Sequence, residues 1–370
     1  TESRKERPSI EIDGKRRARR VAQCRPVATV GRPGSHGSGG LMADDITIHS
    51  LAETERTPAE LAQLFNTAFG EYEGVVYFTP ETMAWYLARP GLGSEHTFVA
   101  LAGDQLIGGV MVTCAPVVLG GEPISCGIID SVMTLPTWRR RGVATRLMEH
   151  ALAWMREAGL ESSLLFTVPH SNGYRIYSRL GYIERATVSY YFALPAPQGE
   201  ADPRLRAAVP GEEERVRVLL NTWLRESDGF VPVDPVLWRW RREERPHELP
   251  CSLFVLEDAG QIRATGAVCT TRVQLDGRPL DLVVLTDIAG DSTDAREAMV
   301  RALLRRVPPG FGVGMLAGSY DPVLLALGEK LGMSCQNEVA MVIPFGLRAE
   351  ELLDRQPAGW YTLAESLIGV

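Results

Sequence analysis

The stretch IIDSVMTLPTWRRRGVATR, residues 128–146, decides the fold. An apolar, β-branched run gives way to a short loop holding Arg139, Arg140 and Arg141, and an amphipathic helix starts after Gly142. A strand, a glycine-bearing basic loop and a helix in succession leave backbone N–H groups pointing outward at a helix N-terminus, a geometry that cradles a pyrophosphate. Gly142 permits close backbone approach, Ala144 keeps a second position small, and the arginines add charge for phosphate oxygens. Taken alone, the spacing also fits a solvated basic turn before an amphipathic helix.

Working outward, helical and extended patterns alternate on both sides. Upstream, 46–49 reads as a strand, 57–69 and 79–88 as helices opened by Thr-Pro, and 97–102, 106–118 and 125–135 as strands joined by glycine turns. Downstream, 141–158 is a helix, 163–168 a strand, 172–180 a helix stopped by Gly181, and 187–194 a strand. A Pro/Gly-rich linker at 195–203 follows, and the same order of elements recurs between 212 and 344. The expected class is therefore α/β. It is a duplicated unit, with a first domain at 45–195, a second at 204–345 and a tail at 346–370 carrying one short helix.

The 370 residues suit two domains. Residues 1–41 carry a charge of +6 and are rich in Arg, Gly, Pro and Ser, so they read as an unstructured leader or tag, with Met42 as a start. Residues 42–370 carry −13, which argues against nucleic acid as a partner. No apolar run reaches the length of a membrane helix. The six cysteines form no C-x-x-C pair and read as reduced, scattered hydrophobes without metal, which points to the cytoplasm.

With the later run IYSRLGY (176–182), the sequence resembles the GNAT superfamily of acetyl-CoA-dependent N-acetyltransferases over 45–194. Arg139, Gly142 and Ala144 match that family's R/Q-x-x-G-x-G/A pyrophosphate loop, and Tyr177, Gly181 and Tyr182 match its later helix. The two-unit layout resembles the tandem, Eis-type acetyltransferases, without their sterol-carrier-like third domain. This leaves the role of the Val370 carboxylate open. The resemblance implies two tandem GNAT folds, each a mixed, mostly antiparallel twisted sheet flanked by helices. It also implies CoA and a small primary amine as partners, with acetyl-CoA as co-substrate and a homo-oligomer possible.

What the resemblance implies residue by residue is as follows. Val132, Met133 and Thr134 hold the pantetheine arm, on a strand that splays from its neighbour. Arg139, Arg140, Arg141, Gly142, Val143, Ala144 and Thr145 hold the pyrophosphate. Tyr177 is the expected general acid, with Tyr174 as its substitute. Asp130 shares a face with Val132 and is a candidate base through water, or equally a partnered carboxylate. Glu71 and Glu73 border the acceptor site, where acidic groups attract a cationic amine. His170 reads as a loop histidine without a role. Loop 287–296, DIAGDSTDAR, lacks a basic cluster, so the second domain is expected to bind no CoA and to brace the first or close its cleft. Alternatives are a longer acyl donor, a protein lysine as acceptor, or a non-catalytic acyl-CoA-binding regulator.

Overall fold

A computed structural model describes residues 46–355 and 359–361. The leader 1–41 and Val370 lie outside the described residues. The first half runs β1 (Ile46–Ser50), α1 (Pro58–Ala68), α2 (Pro80–Leu87), β2 (Leu92–Ala102), β3 (Gln105–Leu119), β4 (Glu122–Thr134), α3 (Val143–Glu157), β5 (Ser162–Thr167), α4 (Asn172–Arg179) and β6 (Ile183–Ala193). The second runs β7 (Leu205–Ala207), α5 (Glu213–Leu224), α6 (Pro235–Arg242), β8 (Cys251–Asp258), β9 (Gln261–Leu275), β10 (Arg278–Gly290), α7 (Thr293–Leu304), β11 (Gly312–Gly318), α8 (Pro322–Lys330) and β12 (Ser334–Pro344), followed by α9 (Leu347–Asp354).

Local chemistry sets these boundaries. Thr57 and Thr79 cap α1 and α2 through their side chains, each with a proline in the first turn, and Asp234 does the same for α6. Along β2, Val99 faces one apolar cluster with α1 and α2, while Phe98 and Ala100 face the other with α3 and Tyr177. Period-two alternation thus gives the sheet two buried faces.

All twelve strands form one sheet in the order β1-β2-β3-β4-β5-β12-β6-β11-β10-β9-β8-β7. Pairing is antiparallel except at β4–β5 and β10–β11. The sequence reading of two successive domains is refined here, because the halves exchange their last strands. β12, from the second half, lies beside β5, with Met341 opposite Leu165. β6, from the first half, lies beside β11, with Met315 opposite Tyr191. The exchanged strands pair with each other at the centre, Gln336 opposite Tyr190. Either half alone would therefore leave an unpaired edge inside its own sheet.

One further expectation is corrected. Cys251 and Cys269 face each other across β8 and β9 and are joined as a disulfide, rather than remaining free thiols. The two positions are directly opposed in an antiparallel ladder, a proximity that residue spacing does not reveal. No helix among the described residues is long and apolar enough to cross a membrane. No cluster of potential metal ligands occurs among them.

Candidate active site

β4 carries the site. Its antiparallel register with β3 shifts between Gly109 and Met111, and Ser131 sits in the left-handed region at φ 52°. A bulge of this kind re-aims backbone groups at one point of a strand. Parallel pairing with β5 stops at Ile128–Leu164, while the other edge of β5 stays paired with β12 from Ser162 to Thr167. The two strands therefore part just before the bulge. Gly108 lets β3 approach closely, since a Cβ there would stand 2.8 Å from the Met133 carbonyl oxygen.

Beyond β4, Pro136–Trp138 makes a single 3-10 turn that buries Trp138. Arg141 lies over that indole, 4.8 Å from the ring centre, and Arg140 turns the chain at φ 61°. Gly142 caps α3 at φ 80°, and open space surrounds the position its Cβ would take. The first intrahelical bond runs from the Arg146 N–H to the Gly142 carbonyl. The N–H groups of Val143, Ala144 and Thr145 therefore lack helical partners. Val143 is buried, and Ala144 and Thr145 are half-buried. This arrangement fits a pyrophosphate: donors at a positive helix end, a surface clear of side chain, and exposed Arg140 and Arg141 beside it.

Arg139 is engaged elsewhere. Its guanidinium donates to Glu71 Oε2 at 2.6 Å and to the Ala68 carbonyl at 2.7 Å. Glu71, expected to border the acceptor site, is thus placed beside Arg139. It is exposed and its charge is balanced by Arg139. Glu73 behaves differently. It lines a cavity of about 380 Å³ and accepts from the Asp276 N–H at 2.7 Å. That bond belongs to a seam in which the loop after α1 docks on the β9–β10 hairpin, with Gly74 N–H to Gln274 O at 2.8 Å and Gln274 N–H to Val75 O at 2.8 Å.

Asp130 and Ser131 line the same cavity. Asp130 Oδ2 accepts from Arg89 at 2.7 Å, and the Arg89 side chain is fully buried over the Tyr86 ring. Of the two readings open for Asp130, a base through water or a partnered carboxylate, the ion pair with Arg89 agrees with the second. Its Oδ1 is buried without a hydrogen bond among the described residues.

Tyr177 lies outside the cavity lining, buried in the apolar cluster against which Val132 and Tyr174 pack. Burial, assisted by the nearby Tyr72, pushes its phenol above the ordinary tyrosine range, so it keeps its proton at neutral pH. Tyr174 donates to Glu184 at 3.2 Å. His170 is exposed at φ 61°, edge-on to Tyr174.

The cavity is built by both halves. Phe65, Phe69 and Phe166 come from the first, and Val273, Leu282 and Val284 from the second. The exchanged strands contribute Tyr190 and Glu338. Sequence reasoning missed Glu338. The only signal was a carboxylate in a strand that turns apolar at Val339.

At the position matching the bulge, the second half has Asp287 at φ 53°. Asp287 is buried against Arg241 at 2.5 Å and against Arg242. Only five residues separate it from α7, against eleven between Ser131 and α3. Residues 288–292 hold no basic side chain, and Asp291 pairs with Arg263 at 3.0 Å.

A family model described as an acetyltransferase (GNAT) domain matches residues 48–184. A GCN5-related N-acetyltransferase from Anabaena variabilis is similar at 16% identity, covering 80% of this chain and 72% of that one, with a TM-score of 0.56. A putative acetyltransferase from Pyrococcus horikoshii is similar at 14% identity, 90% and 99% coverage and a TM-score of 0.57. N-myristoyltransferase from Saccharomyces cerevisiae, with bound myristoyl-CoA, is similar at 11% identity, 90% and 92% coverage and a TM-score of 0.64. At these identities the likeness is one of fold. A comparison with curated proteins gives no match. The family-model match and the fold likeness both fall on a strand that bulges, parts from its neighbour and feeds an open helix end: residues 48–184 are similar to a GNAT acetyltransferase domain.

Proposed function

We propose that this protein is an acetyl-CoA-dependent N-acetyltransferase that acts on a primary amine of a small molecule. The observation that carries the reading is the continuity of the bulge at Ser131 with the cavity on one side and the open N-terminus of α3 on the other. The thioester donor supplies an activated acyl group.

The chain's own residues then have distinct tasks. The N–H groups at 143–145, with Arg140 and Arg141, bind the pyrophosphate. The backbone of Val132, Met133 and Thr134 orients the pantetheine arm, and an N–H of the bulge donates to the reacting carbonyl. Tyr177, kept protonated by burial, is the proton donor for the leaving sulfur.

We read the second half as a degenerate copy of this fold. Support comes from a contact repeated at an offset of 155 residues. Asn66 bonds both backbone groups of Phe78, while Asn221 does the same for Val233. The copy lacks a phosphate loop, and with the Leu180-Gly181 stop of α4 set against the Leu331-Gly332 stop of α8, Gly328 stands at the place of Tyr177. Its contribution is the wall of the acceptor cavity.

The test is a panel of primary amines with acetyl-CoA, reading free thiol. Amine-dependent thiol release supports the proposal. Tight acetyl-CoA binding with no release on any amine would replace it with a non-catalytic acyl-CoA-binding role.

A further inference from the structure

The exchanged strands set up a group that the mechanism above leaves unused. Tyr190 opposes Gln336 and Val188 opposes Glu338 in the β6–β12 ladder, so all four side chains project from one face of the sheet. Tyr190, Gln336 and Glu338 line the cavity floor, surrounded by phenylalanines and by leucines of β10. Three carboxylates reach the cavity: Glu73, Asp130 and Glu338. Glu73 is engaged by the Asp276 N–H and Asp130 by Arg89. Among the described residues the Glu338 carboxylate has no hydrogen bond or ion pair, and no cationic side chain of these residues lines the cavity. A half-buried, unpaired carboxylate in an apolar chamber is costly unless a cation arrives to meet it.

We infer that the acceptor is an amine with an apolar body, whose ammonium group is bound by Glu338 and gives up its proton to it. The inference rests on the proposed acetyl transfer. An alkyl or aryl body fills the chamber between Phe65, Phe166 and Leu282. A polyhydroxylated amine finds few partners there and loses hydration on entry.

The proton and electron balance is closed. One ammonium hydrogen passes to the Glu338 carboxylate, and the nitrogen lone pair forms the bond to the acyl carbon. The carbon–sulfur bond breaks with its electron pair going to sulfur, which takes a proton from Tyr177. The second nitrogen proton refills the Tyr177 phenolate through water. The third stays on the amide, and Glu338 releases its proton to solvent.

Octylamine and glucosamine, both primary amines, separate the classes. Octanol serves as the uncharged competitor, and acetyl-CoA binding is measured separately. Expected are a kcat/KM for octylamine about tenfold or more above that for glucosamine, and stronger competition by octylamine than by octanol. Glu338→Gln raises the octylamine KM about tenfold and removes the preference over octanol, while the Kd for acetyl-CoA stays within about twofold. Leu280→Trp, at the partly exposed end of the cavity, raises the same KM without touching Glu338. An unchanged octylamine KM in both variants overturns the inference and leaves the acetyltransferase reading intact. So does a wild-type preference for octanoyl-CoA over acetyl-CoA that Leu280→Trp abolishes, since the chamber would then hold the acyl chain. Failure of the wild type to bind acetyl-CoA overturns both readings.

Discussion

Trp85 and Trp240 stack with ring centres 4.6 Å apart and planes 10° from parallel, and each indole N–H donates to the other residue's carbonyl, at 3.2 and 2.9 Å. They are 155 residues apart, the same offset that relates Asn66 to Asn221. The pair therefore joins α2 to α6, which the proposed degenerate-copy reading sets at equivalent places in the two halves. Trp240 is among the most fully buried large side chains, at 1% exposure. Trp85→Ala and Trp240→Ala should each cost about 3–5 kcal/mol in urea unfolding. The double variant should cost less than the sum, because each single change already removes the ring stack that the two residues share.

Gly142→Ala isolates the phosphate cradle. Its Cβ meets nothing of this chain within 4 Å, so the cost to folding is the left-handed strain alone, about 1–2 kcal/mol. The methyl group would, however, occupy the surface proposed for the pyrophosphate. Calorimetry should show at least about tenfold weaker CoA binding, while the unfolding midpoint falls only modestly.

Tyr177→Phe tests the proton donor. Burial already holds the phenol protonated, so the substitution removes the donor and little else. Turnover should fall by about a hundredfold, with the Kd for acetyl-CoA nearly unchanged. Near-normal turnover would strike Tyr177 from that role.

Glu71→Gln releases Arg139. The pair is exposed, and such a pair contributes less than about 1 kcal/mol to folding, so the unfolding midpoint should hold. CoA binding should tighten, and more so at low ionic strength, where Arg139 becomes an additional cation for phosphate. Unchanged binding at low salt would mean that Arg139 serves only to tie the loop after α1 to the helix end.

Glu338→Gln carries a stability signature as well as a kinetic one. Burial raises this carboxyl above its ordinary value of 4.5. The groups around it are Tyr190, Tyr86, Cys335, Asp130 with its Arg89, and Glu73, none of which offers it a cation of its own. With the folded pKa above the unfolded one, the group's contribution to stability is complete below the unfolded value and is lost as pH rises through the folded value. The Gln variant should therefore melt above the wild type at pH 8, and the gap should close on approach to pH 4.5. Amine kcat/KM in the wild type should lose activity on an acid limb above the ordinary carboxylate range, and this limb should vanish in the variant.

The element order was legible because periodicity, threonine caps and glycine stops are local signals. The strand, basic loop and helix at 128–146 were legible because their residues are contiguous. The exchange of β6 and β12 was not. Both are strands that follow a helix and a glycine, and alternation says which face is buried, not which strand lies alongside. Asp130 was recognised, but its partner Arg89 lies 41 residues away, and Glu71 lies 68 from Arg139. Ion pairs formed across a fold leave no spacing rule in the chain. Glu338 read as the polar end of a strand, since only the assembled sheet turns it toward a chamber.

The strand exchange also orders events in time. When residues 46–193 have been synthesised, the phosphate cradle, the bulge and Tyr177 are all present, but the place beside β5 is still vacant. The strand that fills it, and with it Glu338, is the last of the twelve to be made. The proposed donor end of the site is thus written early in the chain and the proposed acceptor end late. A chain halted before residue 334 has every residue proposed to hold the donor but lacks the strand that carries Glu338.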